Sequence, residues 1–476
     1  MSRTVRLGLA LGAVLLAGAL AFWASRANHE RNVVAAALPV PPDLTDAVPV
    51  FREAVLDGDR RARTLGRAAG GLKDLAALYH ANGRYAEALA CYDGLQRLEP
   101  MEPRWFHLPA TLAAGYGQAD TAIGWWERTL KLAPDYLPAR LRLGDSLLKA
   151  NRGAEATAVY AAALRTQPDE PYALHGLARL DLEAGRFDEA RRRLETVVAK
   201  TNGQLGYDLI VTLYERLGET ARATALRAAA KASGAHRDPP DPWADALLAV
   251  CYDPFRLALS AGAIAREGRP GEAMGLLRQA IELAPNDVSV RFQLALLARD
   301  QNDIATAREQ LHQCTALAPD FADGWYHLSV LQHGVGERAS AERTLAEGLR
   351  RCPQSPGLHL LNAQRLRDAN RIGEAITAFQ TSIRLRPNEP EAYLELGNVL
   401  IRLGREAEAV RHYRTAWEVE PGNPAALSLL TFHAITTGDR TEAQRWMAQV
   451  ALQPRLPKPQ ADALRAAFRE KFGSAP

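Results

Sequence analysis

The sequence predicts an all-α solenoid built from stacked helix pairs, and three observations predict it. Alanine recurs at Ala88, Ala122, Ala156, Ala190, Ala223, Ala273, Ala307, Ala341, Ala375, Ala409 and Ala443, with all but two of the steps 34 residues long. A proline ladder runs in phase with it, at Pro100, Pro134, Pro168, Pro285, Pro319, Pro353, Pro387 and Pro421. Between the ladders apolar residues keep helical spacing, as at Tyr393, Leu396, Gly397 and Leu400. A fixed period of this length marks a stacked repeat array, in which each unit buries its apolar face against its neighbours.

Taken in order, residues 1–27 read as a signal anchor or a signal peptide. Arg3 and Arg6 precede an uncharged stretch from Leu7 to Ser25, near the lower limit of the roughly 17–25 residues that cross a bilayer. Ala19-Leu20-Ala21 offers a cleavage site. The length of the stretch, and the bulky Phe22 and Trp23 after that site, favour a retained anchor. The basic residues on the two sides, Arg3 and Arg6 against Arg26 and Arg31, nearly balance. The short basic start and the linker after it favour an exported array. The expected location is the inner (cytoplasmic) membrane, single-pass, with the repeats periplasmic or otherwise extracytoplasmic; the alternative is a soluble exported protein after cleavage. Residues 28–45 read as an extended linker through Pro39, Pro41 and Pro42, and residues 46–68 as an N-terminal capping helix.

Residues 69–235 hold repeats one to five and residues 254–455 repeats six to eleven. In the cleanest unit, Pro390 to Pro421, a first helix ends at Gly404, where a left-handed residue is cheap. A second helix carries Ala409, Tyr413 and Ala416 on one stripe, and Pro421 closes it. The ladder alanine is expected where the two helices cross closely, opposite the small residue of the first helix (Ala76, Ala110, Gly144, Ala178, Ala261, Ala295, Gly397). Pro109 lies inside a first helix, and repeats four, five and eleven lack the closing proline, so those units are expected to be kinked or looser. Residues 456–476 supply a C-terminal capping helix near Gln460 to Phe468, with Leu464, Ala467 and Phe468 on one side.

With Trp325, Tyr393, Leu396-Gly397, Tyr79, Tyr92, Tyr160, Phe379, Tyr413 and the two ladders in place, the chain resembles the tetratricopeptide-repeat family over about residues 69–455. The resemblance implies a right-handed superhelix of about eleven helix–turn–helix repeats, whose first helices line a concave, protein-binding face. It implies no particular ligand, because the Lys/Asn clamp of chaperone-binding members is not reproduced across adjacent repeats.

The step from Ala190 to Ala273 exceeds the period by one repeat and about fifteen residues. Residues 236–253 are therefore an insertion, with a stiff Asp238-Pro239-Pro240-Asp241-Pro242 start and two helical turns after it. Two readings stay open: a short helix that packs on the solenoid and fills a gap beside the loose fifth repeat, or a hinge or plug that presents Trp243 to a partner. By phase, the inward face of the middle repeats is basic, with Arg142, Lys149, Arg179, Arg216 and Arg266 diluted by Asp145, Glu183 and Asp208. These arginines with Trp243 form the candidate partner site, suited to an acidic peptide or a C-terminal carboxylate that arginine grips in two bonds; the bland alternative is a solvated helix face. His80, His107 and His175 fall on the same face without converging.

Composition bounds the rest. With 58 basic and 55 acidic residues the net charge is +3, which lacks the basic face of a nucleic-acid binder. Cys91, Cys251, Cys314 and Cys352 show neither CxxC nor zinc spacing. They read as small buried apolar residues, with a Cys314–Cys352 disulfide the lesser alternative. No phosphate loop, nucleophile elbow or HExxH is present. The expectation is no enzyme, no cofactor and no metal. The expected function is a membrane-tethered protein-interaction scaffold or assembly factor, with a chaperone-like peptide-delivery module or a regulatory subunit of an envelope enzyme as the alternative.

Overall fold

The computed structural model describes residues 3–45, 47–201, 205–233, 239–453 and 455–475, with the side chains of residues 3–14 and 228–233 left out. Residues 236–238 of the insertion, and Asp46 at the start of the expected cap, lie outside the described residues. The described residues are helical and contain no strand. Two helices come first, α1 (Arg3–Ala37) and α2 (Pro49–Ala62). Repeats one to five follow as α3 (Ala68–Ala81) with α4 (Tyr85–Leu98), α5 (Arg104–Gly115) with α6 (Ala119–Leu132), α7 (Leu137–Lys149) with α8 (Gly153–Thr166), α9 (Pro171–Glu183) with α10 (Phe187–Lys200), and α11 (Tyr207–Arg216) with α12 (Thr220–Ser233). The insertion holds α13 (Pro242–Asp245) and a 3-10 turn, Ala246–Val250. Repeats six to eleven are α14 (Pro254–Arg266) with α15 (Pro270–Leu283), α16 (Val288–Asp300) with α17 (Ile304–Leu317), α18 (Ala322–Gly334) with α19 (Arg338–Arg351), α20 (Pro356–Asp368) with α21 (Ile372–Leu385), α22 (Pro390–Arg402) with α23 (Glu406–Val419), and α24 (Pro424–Thr437) with α25 (Arg440–Leu452). The last helix is α26 (Lys458–Phe472).

The chain forms two compact units, Met1–Pro168 with Asp238–Val290, and Asp169–Arg237 with Arg291–Pro476. In both units all eleven ladder alanines are fully buried. A third ladder ends every first helix: Gly83, Gly117, Asn151, Gly185, Gly218, Gly268, Asn302, Gly336, Asn370, Gly404 and Gly438 all have positive φ. Glycine adopts that conformation freely and asparagine tolerates it. Four of the ladder prolines have a polar partner six residues on. Trp325 Nε1 donates to Pro319 O (2.9 Å), His359 Nε2 to Pro353 O (2.9 Å) and Tyr393 Oη to Pro387 O (3.1 Å); Arg140 does the same for Pro134 O. Each bond satisfies a backbone carbonyl in the turn just beyond the second helix.

The small first-helix residue plays a different part from the one expected. A Cβ added to Gly144 would meet Tyr160 Cε1 at 2.5 Å, and one added to Gly397 would strike the Tyr413 ring. The notch therefore holds the aromatic ring of the second helix, one turn beyond the ladder alanine. Its hydroxyl donates back to the neighbouring first-helix residue, Tyr160 to Asp145 (2.6 Å) and Tyr413 to Asn398 (2.8 Å).

In the first unit α1 continues through residues 28–37, where a linker was expected; the described residues between Ala37 and Pro49 lie outside helices. The cause is packing: Ala27, Val34 and Ala37 are buried, and α1 lies against α3 and α4. Pro39 then prevents the helix from continuing far. Among the described residues no helix is long and apolar enough to cross a membrane. Pro109 leaves α5 continuous. Its missing N–H would orphan the Trp105 carbonyl, and Gln96 Nε2 from α4 donates to that oxygen at 2.8 Å. In the second unit α26 covers α24 and α25 with Ala461, Leu464 and Phe468 buried.

Candidate peptide-binding site

The insertion, from Pro239 onward, lies along repeats one to three of the first unit as a bound peptide would. Its anchor is Asp241, only 3% exposed. Asp241 caps α13 by accepting from Ala244 N at 3.3 Å. The same Oδ1 accepts from Tyr136 Oη at 2.6 Å, and Oδ2 from His107 Nε2 at 2.7 Å. Arg142 Nε completes the set 3.4 Å from Oδ2. Three successive segments thus converge on one carboxylate: α5 supplies His107, the turn before α7 supplies Tyr136, and α7 supplies Arg142. Burial alone would raise the Asp241 pKa. The bond from His107, its charge and that of Arg142, and the Tyr136 hydroxyl outweigh burial and hold the carboxyl well below the usual range. Asp241 is therefore an anion, and the His107 Nε2 facing it carries the proton. Burial, then the bond to Asp241, pushes the Tyr136 phenol up, so it stays a donor.

The neighbouring Trp243 stacks on Tyr136, with ring centroids 3.6 Å apart and planes 11° apart, and meets the His107 ring edge-on at 5.5 Å. Its backbone N–H donates to Tyr136 Oη at 3.2 Å. Farther along, the Asn82 amide reads the backbone: Nδ2 donates to Val250 O (2.8 Å) and Oδ1 accepts from Tyr252 N (2.6 Å). Cys251 Sγ donates to Ala81 O at 3.4 Å, and Gln279 Nε2 donates to Cys251 O at 3.0 Å. Trp243, Leu247, Val250 and Tyr252 lie against the core of α2, α3 and α4.

The sequence-predicted site residues divide between the units. Arg142 and Trp243 meet at Asp241 in the first unit. Trp243 is engaged with Tyr136 rather than presented outward, because stacking and the carboxylate anchor hold it down. Lys149 and Arg266 belong to the same unit and are exposed. Arg179 and Arg216 belong to the second unit; Arg179 is half-buried, and Arg216 Nη1 donates to Leu182 O at 2.7 Å. Asp145, expected to dilute the basic face, is bound to Tyr160. Sequence reasoning missed Tyr136, Asn82 and the role of Asp241, and grouped His107 with Arg142 without the partner they share. An aspartate between Pro240 and Pro242 and followed by Trp243, outside the repeat period, was the available signal.

Other chemistry is limited. All four cysteines are free and buried, so Cys314 and Cys352 do not pair. Burial pushes the Cys91 thiol up to about 12 and the Cys314 thiol to about 11, far from a nucleophile's range. Among the described residues no three metal-ligating side chains converge. The second unit holds a crevice of about 310 Å³ lined by Val198, Tyr207, Ile210, Tyr214, Leu226 and Leu452.

Comparison with known proteins bears on the repeats. One tetratricopeptide-repeat family model matches residues 113–174, 147–210 and 400–468, and a second matches 292–356 and 360–424. The chain is similar to DnaJ homolog subfamily C member 3 of Rattus norvegicus, 23% identical over 270 residues, covering 56% of this chain and 46% of that protein. It is also similar to cellulose synthase operon protein C of Pseudomonas fluorescens (strain SBW25), 28% identical over 256 residues, covering 52% and 18% respectively. The chain thus spans less than half the length of these relatives. Among solved structures, yeast Tom70 aligns with 15% identity and a TM-score of 0.42 over 84% of this chain and 96% of that one. The repeat matches together span more than half of the residues, and the chain belongs to the tetratricopeptide-repeat family.

Proposed function

We propose that the chain is a membrane-tethered scaffold or assembly factor for envelope proteins, which holds other proteins or peptides on its first-helix face and carries out no catalysis. The observation that carries the tether is the division of α1. Leu15, Leu16, Leu20, Phe22 and Trp23 are each more than half exposed, whereas Ala27, Val34 and Ala37 are buried on the repeats. Large apolar side chains gathered on one exposed stretch are stabilised by transfer out of water. In sequence that stretch extends back to Leu7 without a charge. The array sits outside the cytoplasm in this reading, following the short basic start ahead of the apolar run.

Two measurements test the proposal. A reporter fused after Pro476 should be active outside the cytoplasm and sediment with membranes; activity confined to the cytoplasm overturns the topology. Crosslinking from membranes should capture partner proteins. Their yield should fall when Arg179 and Arg216 are both replaced by alanine, and not with Arg192→Ala, whose side chain pairs with Glu189 at the surface. Arg191 is no neutral control, because it bridges to Glu219 at 3.1 Å and lies 5.9 Å over the Tyr214 ring. Equal capture by the double variant and Arg192→Ala would reduce that face to a solvated surface.

A further inference from the structure

We infer that the pocket of His107, Tyr136 and Arg142 is a receptor site for a short acidic–aromatic peptide segment borne by a partner protein, and that the chain's own Asp241-Pro242-Trp243 occupies it in cis until the partner's segment replaces it. The inference rests on the reading of the first-helix face as a peptide-binding surface, and it names the ligand.

The contacts have the character of ligand recognition. One carboxylate takes bonds from His107 and Tyr136 and an ion pair from Arg142. One indole, two residues on, covers the Tyr136 ring. The Asn82 amide holds the trailing segment through backbone atoms alone, so it asks for no particular side chain there. The pocket has its own reason to be filled. His107 is fully buried, and a donor in a buried place is costly to leave without an acceptor. A carboxylate serves it together with Tyr136 and Arg142.

The occupant is held by discrete contacts more than by a core of its own. Neither α13 nor the 3-10 turn after it contains a fully buried residue. Its hold comes from the Asp241 carboxylate, the Trp243 stack, the Asn82 clamp, an Asp245–Arg269 ion pair, the bonds of buried Cys251 to Ala81 and Gln279, and partial burial. The segment is also extra to the repeat period, so repeats one to three form their helix pairs from residues outside it. A segment joined to its site by the chain acts at an effective concentration of the order of millimolar. It would mask a site of about 10 μM intrinsic affinity roughly a hundredfold, and a partner presented at high local concentration can overcome that.

The test uses the full chain and a fluorescent synthetic peptide of residues 239–252. The variant combining Asp241→Asn with Trp243→Ala empties the site and should bind the peptide about a hundredfold more tightly than the unaltered chain. Adding Arg142→Ala should weaken that binding by about 5- to 30-fold, as expected when a partly exposed ion pair at 3.4 Å is cut. A peptide with asparagine at position 241 should lose a similar factor. Equal peptide binding by the folded emptied variant and the unaltered chain overturns the inference. If the emptied variant does not fold, hydrogen exchange on the unaltered chain decides: saturating peptide should speed exchange across residues 241–252 several-fold, and unchanged exchange overturns it. Concentration-dependent dimers of the unaltered chain that Arg142→Ala abolishes would make a second copy the occupant and overturn the assignment to a partner. Crosslinked partners that survive Arg142→Ala would remove this site while leaving the scaffold proposal standing.

Discussion

Replacing Asp241 by alanine should release the insertion from the first unit and lower its stability by about 3–5 kcal/mol, the range for deleting one member of a buried ion pair. Asp241 is 3% exposed and His107 fully buried, so Nε2 of His107 has no water to replace the lost carboxylate. Arg142 is 16% exposed and sits at a longer 3.4 Å, so Arg142→Ala should cost less, about 1–2 kcal/mol. Asp241→Asn keeps the shape and one acceptor oxygen and should fall between the two. Acid has a defined sign here. The Asp241 carboxyl is held below its unfolded value of about 4, so its contribution is complete above that value and is lost as pH falls below it. Denaturant melts of the unaltered chain and Asp241→Asn should therefore differ by a constant amount from pH 7 to about 5, and the gap should narrow below about pH 4. Hydrogen exchange should locate the loss at residues 239–252, because a solenoid can open locally. If Asp241→Ala melts within about 0.5 kcal/mol of the unaltered chain, with exchange unchanged there, the carboxylate is not an anchor and the reasoning fails.

Three further outcomes are expected. Ala409→Trp should cost at least about 1–3 kcal/mol by overpacking a fully buried crossing. Glu408→Ala, which loses surface pairs with Arg405 and Arg411, should stay within about 0.5 kcal/mol; equal shifts in thermal melts would overturn the assigned phase. Gly144→Ala gains about 1 kcal/mol of helix propensity but pushes a Cβ to 2.5 Å from Tyr160 Cε1, so a net loss of about 1–2 kcal/mol is expected. Tyr160→Leu in the same chain should relieve it, as a double-mutant cycle would show. His80, whose Nδ1 lies 2.9 Å from the Tyr92 hydroxyl, is held down to about 3 chiefly by burial and then by Arg256. Its unfolded form gains the proton first, so the chain should lose roughly 1–2 kcal/mol between pH 7 and 5, and His80→Phe should flatten that slope in pH-dependent melts.

The sequence by itself determined the repeat architecture, because each unit's requirements are local and recur. An alanine must sit at a crossing with no room, as Ala409 does. A residue tolerant of positive φ must end the first helix, as Gly404 and Asn370 do. Proline must stop the second. Phase alone also grouped His107 with Arg142, and both side chains meet Asp241. What only the tertiary structure decided is what those side chains hold. Asp241 reaches His107 across 134 residues of sequence and Tyr136 across 105, and no local period relates an insertion to the repeats that receive it. The course of α1 past residue 28 was hidden for the same reason: its apolar positions at Ala27, Val34 and Ala37 become a buried stripe only when α3 and α4 are there to cover them. Periodicity reports contacts between neighbours in the array. A segment that folds back onto distant repeats is specified by complementarity of charge and shape, which appears only once the chain has brought the two together.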